Sequence, residues 1–248
     1  MAIRQRLDKI LVERGLAGSR ERARALILAG RVLVDDRTID KAGTQIATEA
    51  EIRLRGEDIP YVSRGGLKLA AALESFNLPL QGRIAIDVGA STGGFTDCLL
   101  QNGVAKVFAV DVGYGQLAWK LRQDERVVNL ERTNIRALQV DQLDEKPSLA
   151  VIDASFISLE KVLPATLLLL SPESDILALI KPQFEVGKGQ VGKGGVVRDP
   201  EMHTAVVEKI KAFAQSVGCK VVATADSPIL GPKGNREFLI HLRMEAGQ

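Results

Sequence analysis

Four ionisable residues stand at the ends of apolar segments in the body of the chain. Asp87, Asp111 and Asp153 each close such a segment, and Lys181 closes a fourth. Because ligands of open α/β sheets bind beside the carboxyl ends of the strands, we expect these side chains to cluster at one edge of a sheet. Lysine is unfavourable directly after a buried strand unless it is paired. The pattern therefore predicts a polar ligand-binding or catalytic site at that edge.

A glycine-rich turn follows the first of these acids. It reads Asp87-Val88-Gly89-Ala90-Ser91-Thr92-Gly93-Gly94-Phe95 and leads into a helix predicted to begin near Phe95. Glycine lets a backbone approach a small ligand closely. The spacing G-x-x-x-G-G differs from that of dinucleotide-binding loops and of phosphate-binding P-loops. A nucleoside ligand without a pyrophosphate fits such a turn, with S-adenosylmethionine as the candidate. The alternative is an ordinary strand-to-helix turn.

Alternating strands and helices must position these residues. Short apolar segments recur with intervening stretches long enough for crossover helices, which is typical of a parallel α/β sheet. The last two segments lie close together in sequence, which favours an antiparallel pair at one edge. The seven predicted strands are Arg83–Asp87, Lys106–Asp111, Val127–Leu130, Leu149–Asp153, Ile176–Lys181, Lys220–Ala225 and Phe238–Leu242.

Composition restricts the class of protein. The 248 residues suffice for a large domain plus a small one, and 46% hydrophobic with 26% charged residues is typical of a globular protein. Charges interrupt the first thirty residues, unlike a signal peptide, and no apolar run approaches the ~20 residues that span a bilayer. Cys98 and Cys219 lack metal-ligand spacing, and we see no His/Cys cluster for a metal. We expect a cytoplasmic protein with buried thiols and no membrane partner.

The amino-terminal residues form a basic module. Between Arg4 and Arg31, eight Lys or Arg residues face three acids, a local charge of +5 in a chain of net charge +2. Such asymmetry favours a polyanionic partner, although a charged helix face is often simply solvated. The predicted elements are a helix that ends near Gly15, a helix Arg20–Ala29 capped by Ser19, and strands Val32–Val34 and Glu51–Leu54.

Three segments of this module follow one another in a specific order: Arg6-Leu7-Asp8-Lys9-Ile10-Leu11, Ser19-Arg20-Glu21-Arg22-Ala23-Arg24 and Gly30-Arg31-Val32-Leu33-Val34. Together they resemble the S4-type RNA-binding domain. The resemblance implies binding of structured RNA through a basic helix pair, by shape and phosphate contacts more than by base sequence. The residues implied as RNA ligands are Arg4, Arg6, Lys9, Arg20, Arg22, Arg24 and Arg31.

Two further residues extend the site at the sheet edge. Lys68 follows Arg64-Gly65-Gly66-Leu67 at the start of a helix, and Glu237 begins the last strand. Each alone could be an ordinary surface charge. With Asp153 and Lys181, however, they resemble the K-D-K-E tetrad of FtsJ-like ribose 2′-O-methyltransferases. The S4-type domain in front narrows the resemblance to the TlyA (hemolysin A) family of rRNA methyltransferases.

This resemblance implies a fold and a division of the chain. We expect an α/β protein with a class I methyltransferase, Rossmann-like seven-stranded sheet, preceded by a small α+β S4-type domain. The implied boundaries are residues 1–56 for the S4-type domain, 57–62 for a linker and 63–248 for the FtsJ-like, S-adenosylmethionine-dependent domain.

It also implies the roles of individual residues. Lys181 would be the main activator of a ribose 2′-hydroxyl, and Lys68 would steer the ribose or its phosphate, while Asp153 and Glu237 orient the two amines. Asp111 would hold the cofactor ribose, or else cap a helix. From its own composition and its place after Lys181, the glycine- and lysine-rich loop 187–198, with Lys188 and Lys193, is expected to close over RNA or else to be a disordered surface loop. The residues implied to bind S-adenosyl-L-methionine are Asp87, Gly89, Ala90, Ser91, Thr92, Gly93, Gly94, Phe95, Asp111 and Asp153.

Two other functions compete with this one. A non-catalytic RNA-binding or ribosome-assembly factor would keep the fold, but it has no need of two lysines and two acids at a sheet edge. A hemolysin would need a spanning segment or an amphipathic hydrophobic hairpin, and the sequence shows neither. The sequence favours an S-adenosylmethionine-dependent ribose 2′-O-methyltransferase acting on ribosomal RNA or ribosomal subunits, with no obligatory protein partner evident.

Overall fold

A computed structural model describes residues 3–55, 59–187, 189–192 and 194–244. The chain divides into two units, Met1–Pro60 and Tyr61–Gln248. Lys188 and Lys193, both predicted to contact RNA, lie outside the described residues.

The described residues of the first unit form two helices and five short strands. The side chain of Ser19 accepts a hydrogen bond from the backbone N–H of Arg22, so the predicted cap of the second helix is confirmed. Apolar side chains of both helices pack with Val32, Ile46 and Ile52 into one core. The elements are β1 (Arg4–Arg6), α1 (Leu7–Glu13), α2 (Arg20–Leu28), β2 (Val32–Val34), β3 (Arg37–Thr38), β4 (Gln45–Ala47) and β5 (Ile52–Leu54).

The strands of this unit form two small antiparallel sheets. Strand β1 pairs with β4, and β2 lies between β3 and β5. The sequence pattern predicted β2 and β5 but missed the other three. Those three have mostly polar sequences, RQR, RT and QIA, so no apolar pattern marks them, unlike Val32-Leu33-Val34 of β2.

The second unit alternates strands and helices. Three short 3-10 helices, Ile135–Ala137, Val140–Gln142 and Pro232–Gly234, lie in its loops. The other elements are α3 (Gly65–Phe76), β6 (Ile84–Val88), α4 (Gly94–Gln101), β7 (Lys106–Val110), α5 (Trp119–Arg122), β8 (Val127–Leu130), β9 (Leu149–Ile152), α6 (Leu159–Leu167), β10 (Asp175–Ile180), α7 (Pro182–Glu185), α8 (Pro200–Ser216), β11 (Cys219–Asp226) and β12 (Phe238–Met244).

Its seven strands form one sheet in the order β8-β7-β6-β9-β10-β12-β11. All neighbours are parallel except β12, which runs antiparallel to both β10 and β11. This is the class I methyltransferase arrangement predicted from the sequence, including the antiparallel pair at one edge. Most strand bounds differ from the predicted ones by one or two residues, so Asp87 lies inside β6, while Asp111, Asp153 and Lys181 directly follow their strands.

Helices cover both faces of this sheet because its central strands are apolar on both sides. In β9, Ala150 and Ile152 belong to the core beneath α6 and α8, and Leu149 and Val151 belong to the core beneath α3 and α4. Such two-sided burial is typical of parallel sheets. Cys98 and Cys219 are free and buried, as predicted. The carboxyl ends of the strands are thereby held in fixed positions.

Candidate active site

The glycine-rich loop connects β6 to α4 and packs against the end of β9. Gly89 has φ +88°, and a Cβ there would lie 3.0 Å from the carbonyl oxygen of Asp153. Gly93 has φ +95°, and a Cβ there would overlap the side chains of Leu117 and Leu121. Both positions therefore require glycine, for conformation and for space. Between them, Ser91 adopts a left-handed conformation with φ 49°.

Asp87 lies beneath this loop and is completely buried. Its Oδ2 accepts hydrogen bonds from the backbone N–H and the hydroxyl of Thr96, at 2.9 and 2.7 Å. Its Oδ1 has no hydrogen-bond partner among the described residues. Burial disfavours the charged form and, together with the nearby Asp153 carboxylate, outweighs the Thr96 hydrogen bonds, so the pKa of Asp87 rises to about 7.

Asp111, at the end of β7, holds the outer side of the loop. Its Oδ2 accepts a hydrogen bond from the backbone N–H of Ser91 at 2.8 Å, and its Oδ1 accepts one from that of Gly113 at 2.6 Å. The carboxylate thus joins two loops at the sheet edge. The next helix begins only at Trp119, so Asp111 does not cap a helix.

Two lysine–carboxylate pairs stand at this edge. Nζ of Lys181 lies 2.5 Å from Oδ1 of Asp153 and donates a 2.9 Å hydrogen bond to Oγ of Ser155. Nζ of Lys68, on α3, lies 2.5 Å from Oε2 of Glu237. The lysine side chains are less than a tenth exposed and that of Glu237 is fully buried. Each lysine therefore has a carboxylate of its own.

A cavity of about 570 Å³ brings these groups together. Lys68 and Asp153 line it, and each is in contact with its partner, Glu237 or Lys181. Of the predicted cofactor ligands, Asp87, Thr92, Gly93 and Asp111 do not line the cavity. Lining residues from the glycine-rich loop are Gly89, Ala90, Ser91, Gly94 and Phe95.

The sequence reasoning missed two segments that complete the wall. Ser63 and Arg64, before α3, line one side, and residues 229–234 line another. A side chain at Gly231 would collide with Oε1 of Glu237, so this second segment passes directly over the buried carboxylate. The glycines at 231 and 234 were the available sign, but glycine alone does not distinguish a cavity wall from a turn.

The first unit displays most of the predicted RNA ligands. Arg6, Arg20 and Arg24 bind the carboxylate of Asp8, and they hold the pKa of that carboxyl well below its usual range, Arg6 most strongly. The side chains of the other four lie elsewhere on the unit. Arg4 donates to the carbonyl of Gln45, Arg31 donates to that of Arg55, Lys9 pairs with Glu13, and Arg22 is partly buried on α2.

Comparison with known proteins identifies both units. Residues 61–244 match the model of the FtsJ-like methyltransferases. This chain belongs to that family. Residues 5–52 match the S4 domain, so this FtsJ-like protein carries an S4 domain at its amino-terminal end, as predicted.

Full-length relatives share both parts. A candidate rRNA methyltransferase of Bacillus subtilis, YqxC, is 51% identical over 96% of this chain and 85% of its own. The 16S/23S rRNA (cytidine-2′-O)-methyltransferase TlyA of Mycobacterium tuberculosis is 49% identical over 99% of this chain and 92% of its own. A solved structure of a candidate hemolysin from Streptococcus thermophilus, 46% identical, covers 100% of this chain and 90% of that one with a TM-score of 0.78. No helix within the described part of this FtsJ-like protein is long and apolar enough to cross a membrane.

An exposed aromatic residue adjoins the site of this FtsJ-like protein. Phe156, three residues after Asp153, is 91% exposed and has φ 64°, a strained conformation for a bulky side chain. Its ring lies 5.2 Å from that of Phe184. A strained backbone conformation of this kind persists only where the surrounding structure imposes it. An exposed aromatic ring offers a face on which an unpaired base can stack.

The segment after Phe156 is anchored by Glu185 at the end of α7. Its carboxylate accepts hydrogen bonds from the hydroxyl of Ser158 at 2.6 Å and the backbone N–H of Leu159 at 2.8 Å. Burial raises the pKa of Glu185. Since α7 directly follows Lys181, one short stretch fixes both the lysine and the loop that carries Phe156.

Proposed function

We propose that this protein transfers a methyl group from S-adenosylmethionine to a ribose 2′-hydroxyl of ribosomal RNA. One observation carries the proposal: the glycine-rich loop, Lys68 and Asp153 border a single cavity, and each of these two side chains has a buried partner of opposite charge. The TlyA relative, similar over nearly the whole chain, supports this substrate. Such a substrate implies action in the cytoplasm.

The residues present fit the cofactor. The volume of about 570 Å³ lies within the roughly 300–1,000 Å³ of small-molecule sites. The backbone of Gly89 has no side chain to exclude a ligand, and Asp87 and Asp111 brace the loop from below and outside. The carboxylate of Asp111 can accept a further hydrogen bond from a ribose hydroxyl, because each carboxylate oxygen has two lone pairs. We propose the ten residues implied by the family resemblance as this site.

S-adenosylmethionine, when bound, supplies a methyl carbon whose bond to sulfur breaks as its bond to the ribose oxygen forms. The hydroxyl must lose its proton in that step. We assign the proton to Nζ of Lys181 in its neutral form, with Asp153, 2.5 Å away, stabilising the resulting ammonium. Ser155 fixes the direction of the amine through its 2.9 Å hydrogen bond.

The second pair positions the substrate. Lys68 borders the cavity, and the buried Glu237 holds its amine in one place. An ammonium there can bind the ribose or its phosphate and so align the hydroxyl for in-line attack. Alignment of this kind is a major source of rate acceleration.

The amino-terminal unit would deliver the RNA. We propose that residues 1–56 bind structured ribosomal RNA through their arginines and that residues 63–248, after a linker at 57–62, carry out the transfer. The loop 187–198 would close over the RNA. Asn235 already ties that loop to the start of β12, since its side chain bonds Gly195 and Val197 at 3.0 and 3.2 Å.

The test is methyl transfer from radiolabelled S-adenosylmethionine to bacterial ribosomal subunits and to naked ribosomal RNA. We expect the wild-type protein to label at least one of these, Lys181→Ala to lose the label, and Lys161→Ala, which changes an exposed lysine of the same unit, to retain it. Cofactor binding without any labelling would contradict the proposal and favour a non-catalytic RNA-binding factor.

A further inference from the structure

A buried carboxylate in the first unit is surrounded by more positive charge than is required to neutralise it. Asp8 is fully buried. Nε and Nη2 of Arg6 donate to its two oxygens at 3.0 and 2.9 Å. Arg20 and Arg24 also donate to its Oδ2, at 3.2 and 3.4 Å. Three guanidinium groups on one carboxylate leave an excess of two positive charges.

One arginine fork would suffice to compensate this carboxylate, because a bidentate pair satisfies both oxygens. Compensation of the Asp8 charge therefore does not account for the two other arginines at this position. Arg20 and Arg24 lie one turn apart on α2, whereas Arg6 precedes α1, so the cluster joins the two helices of the unit. Burial of Asp8 thus fixes arginines from different elements around one point.

The outward side of the cluster is open to a ligand. The side chains of Arg6, Arg20 and Arg24 are 43%, 54% and 53% exposed. Each guanidinium has five N–H donors, of which at most two bind Asp8. The guanidinium of Arg6 packs against Gly43, since a Cβ at position 43 would lie 3.2 Å from Nη1 of Arg6. The remaining donors of these planar guanidinium groups can form bidentate hydrogen bonds with the oxygens of a phosphate.

We propose that Asp8 positions Arg6, Arg20 and Arg24 as one preorganised site for a phosphodiester group of the RNA backbone. Asp8 does not touch the RNA; it is a positioning residue that reduces the side-chain entropy lost when the arginines bind. This inference rests on the proposed function, of which it specifies the RNA contact.

The direction in which one substitution changes the affinity for RNA tests this proposal. Asp8→Asn removes a negative charge, so charge alone predicts tighter RNA binding, whereas loss of positioning predicts weaker binding. Asp36→Asn is the matched control: it makes the same charge change in the same unit, at an exposed residue paired with Arg53 and at a φ of 63° that Asn tolerates.

We expect the Kd of the full-length protein for 16S or 23S ribosomal RNA transcripts to rise about tenfold in Asp8→Asn and to stay level or fall in Asp36→Asn. Binding by Asp8→Asn as tight as by Asp36→Asn would overturn the proposal. Thermal unfolding of each variant shows whether the unit still folds.

A second pair keeps the proposal testable if Asp8→Asn unfolds. Arg20→Lys retains the charge but loses the fork, and Arg37→Lys makes the same change at an exposed arginine outside the cluster. We expect about tenfold weaker binding of RNA by Arg20→Lys and no change in Arg37→Lys. Equal affinities of the two variants would refute the claim that the guanidinium of Arg20 binds the phosphate. A wild-type protein that binds no ribosomal RNA would refute the proposed function itself, whereas wild-type binding with unaffected variants would refute only the role of Asp8.

Discussion

Gly89→Ala should show whether the close backbone packing of the glycine-rich loop is needed for methyl transfer as well as for stability. The residue has φ +88°, which costs a non-glycine residue about 1–2 kcal/mol. The new Cβ would also lie 3.0, 3.1 and 3.2 Å from backbone atoms of Asp153 and Ala154. An ordinary van der Waals contact begins near 3.4 Å, so the end of β9 must move by about 0.4 Å. That movement displaces Asp153 and, through it, Lys181.

Displacements of about 1 Å in a catalytic group cost on the order of a hundredfold in rate, so 0.4 Å predicts a loss of about sixfold in methyl transfer. We also expect weaker binding of S-adenosylmethionine by calorimetry. Gly218→Ala is the matched control, because Gly218 has φ +86° with no heavy atom within 4 Å of the added Cβ. It should lose only the conformational cost of about 1–2 kcal/mol in urea unfolding and keep its activity. Equal activity and equal cofactor affinity in the two variants would refute the reasoning.

Four other substitutions have distinct expected results. Lys68→Met and Glu237→Gln should each lower the free energy of unfolding by about 3–5 kcal/mol, because each leaves the other member of the pair buried and charged with no counter-ion. In urea unfolding, the double variant should lose less stability than the sum of the two single variants. Burial raises the pKa of Asp87 to about 7, so its contribution to stability is full below the unfolded pKa near 4 and is lost as the pH rises through 7. Asp87→Asn should therefore flatten the fall of unfolding free energy between pH 4 and 7, and an unchanged slope would contradict this. Phe156→Gly should relieve the left-handed strain and raise stability by up to about 1 kcal/mol while lowering RNA methylation; unaltered methylation would remove Phe156 from the site.

Local patterns predicted much of the sheet because its central strands are buried on both faces. Strand β10 has six consecutive buried residues, of which the five after Asp175 form an apolar run, and Lys181 marks its end. Ser19 likewise predicted the start of α2, since a serine cap acts on the adjoining backbone. Such features depend on residues close in sequence and are therefore visible without a structure.

The pairing of charges was not predictable in this way. Lys68 and Glu237 are 169 residues apart, and only the family resemblance placed them in one site. Nothing in the sequence indicated that Asp8 would be buried beneath arginines of β1 and α2. The strained Phe156 and the wall formed by residues 229–234 also depend on tertiary packing, which no local periodicity encodes.

The position of the transferred methyl group tests the central claim most directly. A 2′-O-methyl group blocks alkaline cleavage of the adjacent phosphodiester, because cleavage requires the free 2′-hydroxyl. Ribosomal RNA labelled by the wild-type protein should therefore be hydrolysed in alkali and the radioactivity followed by chromatography. We predict label in alkali-resistant dinucleotides. Label in mononucleotides would show methylation of a base and would contradict the roles assigned to Lys181 and Lys68.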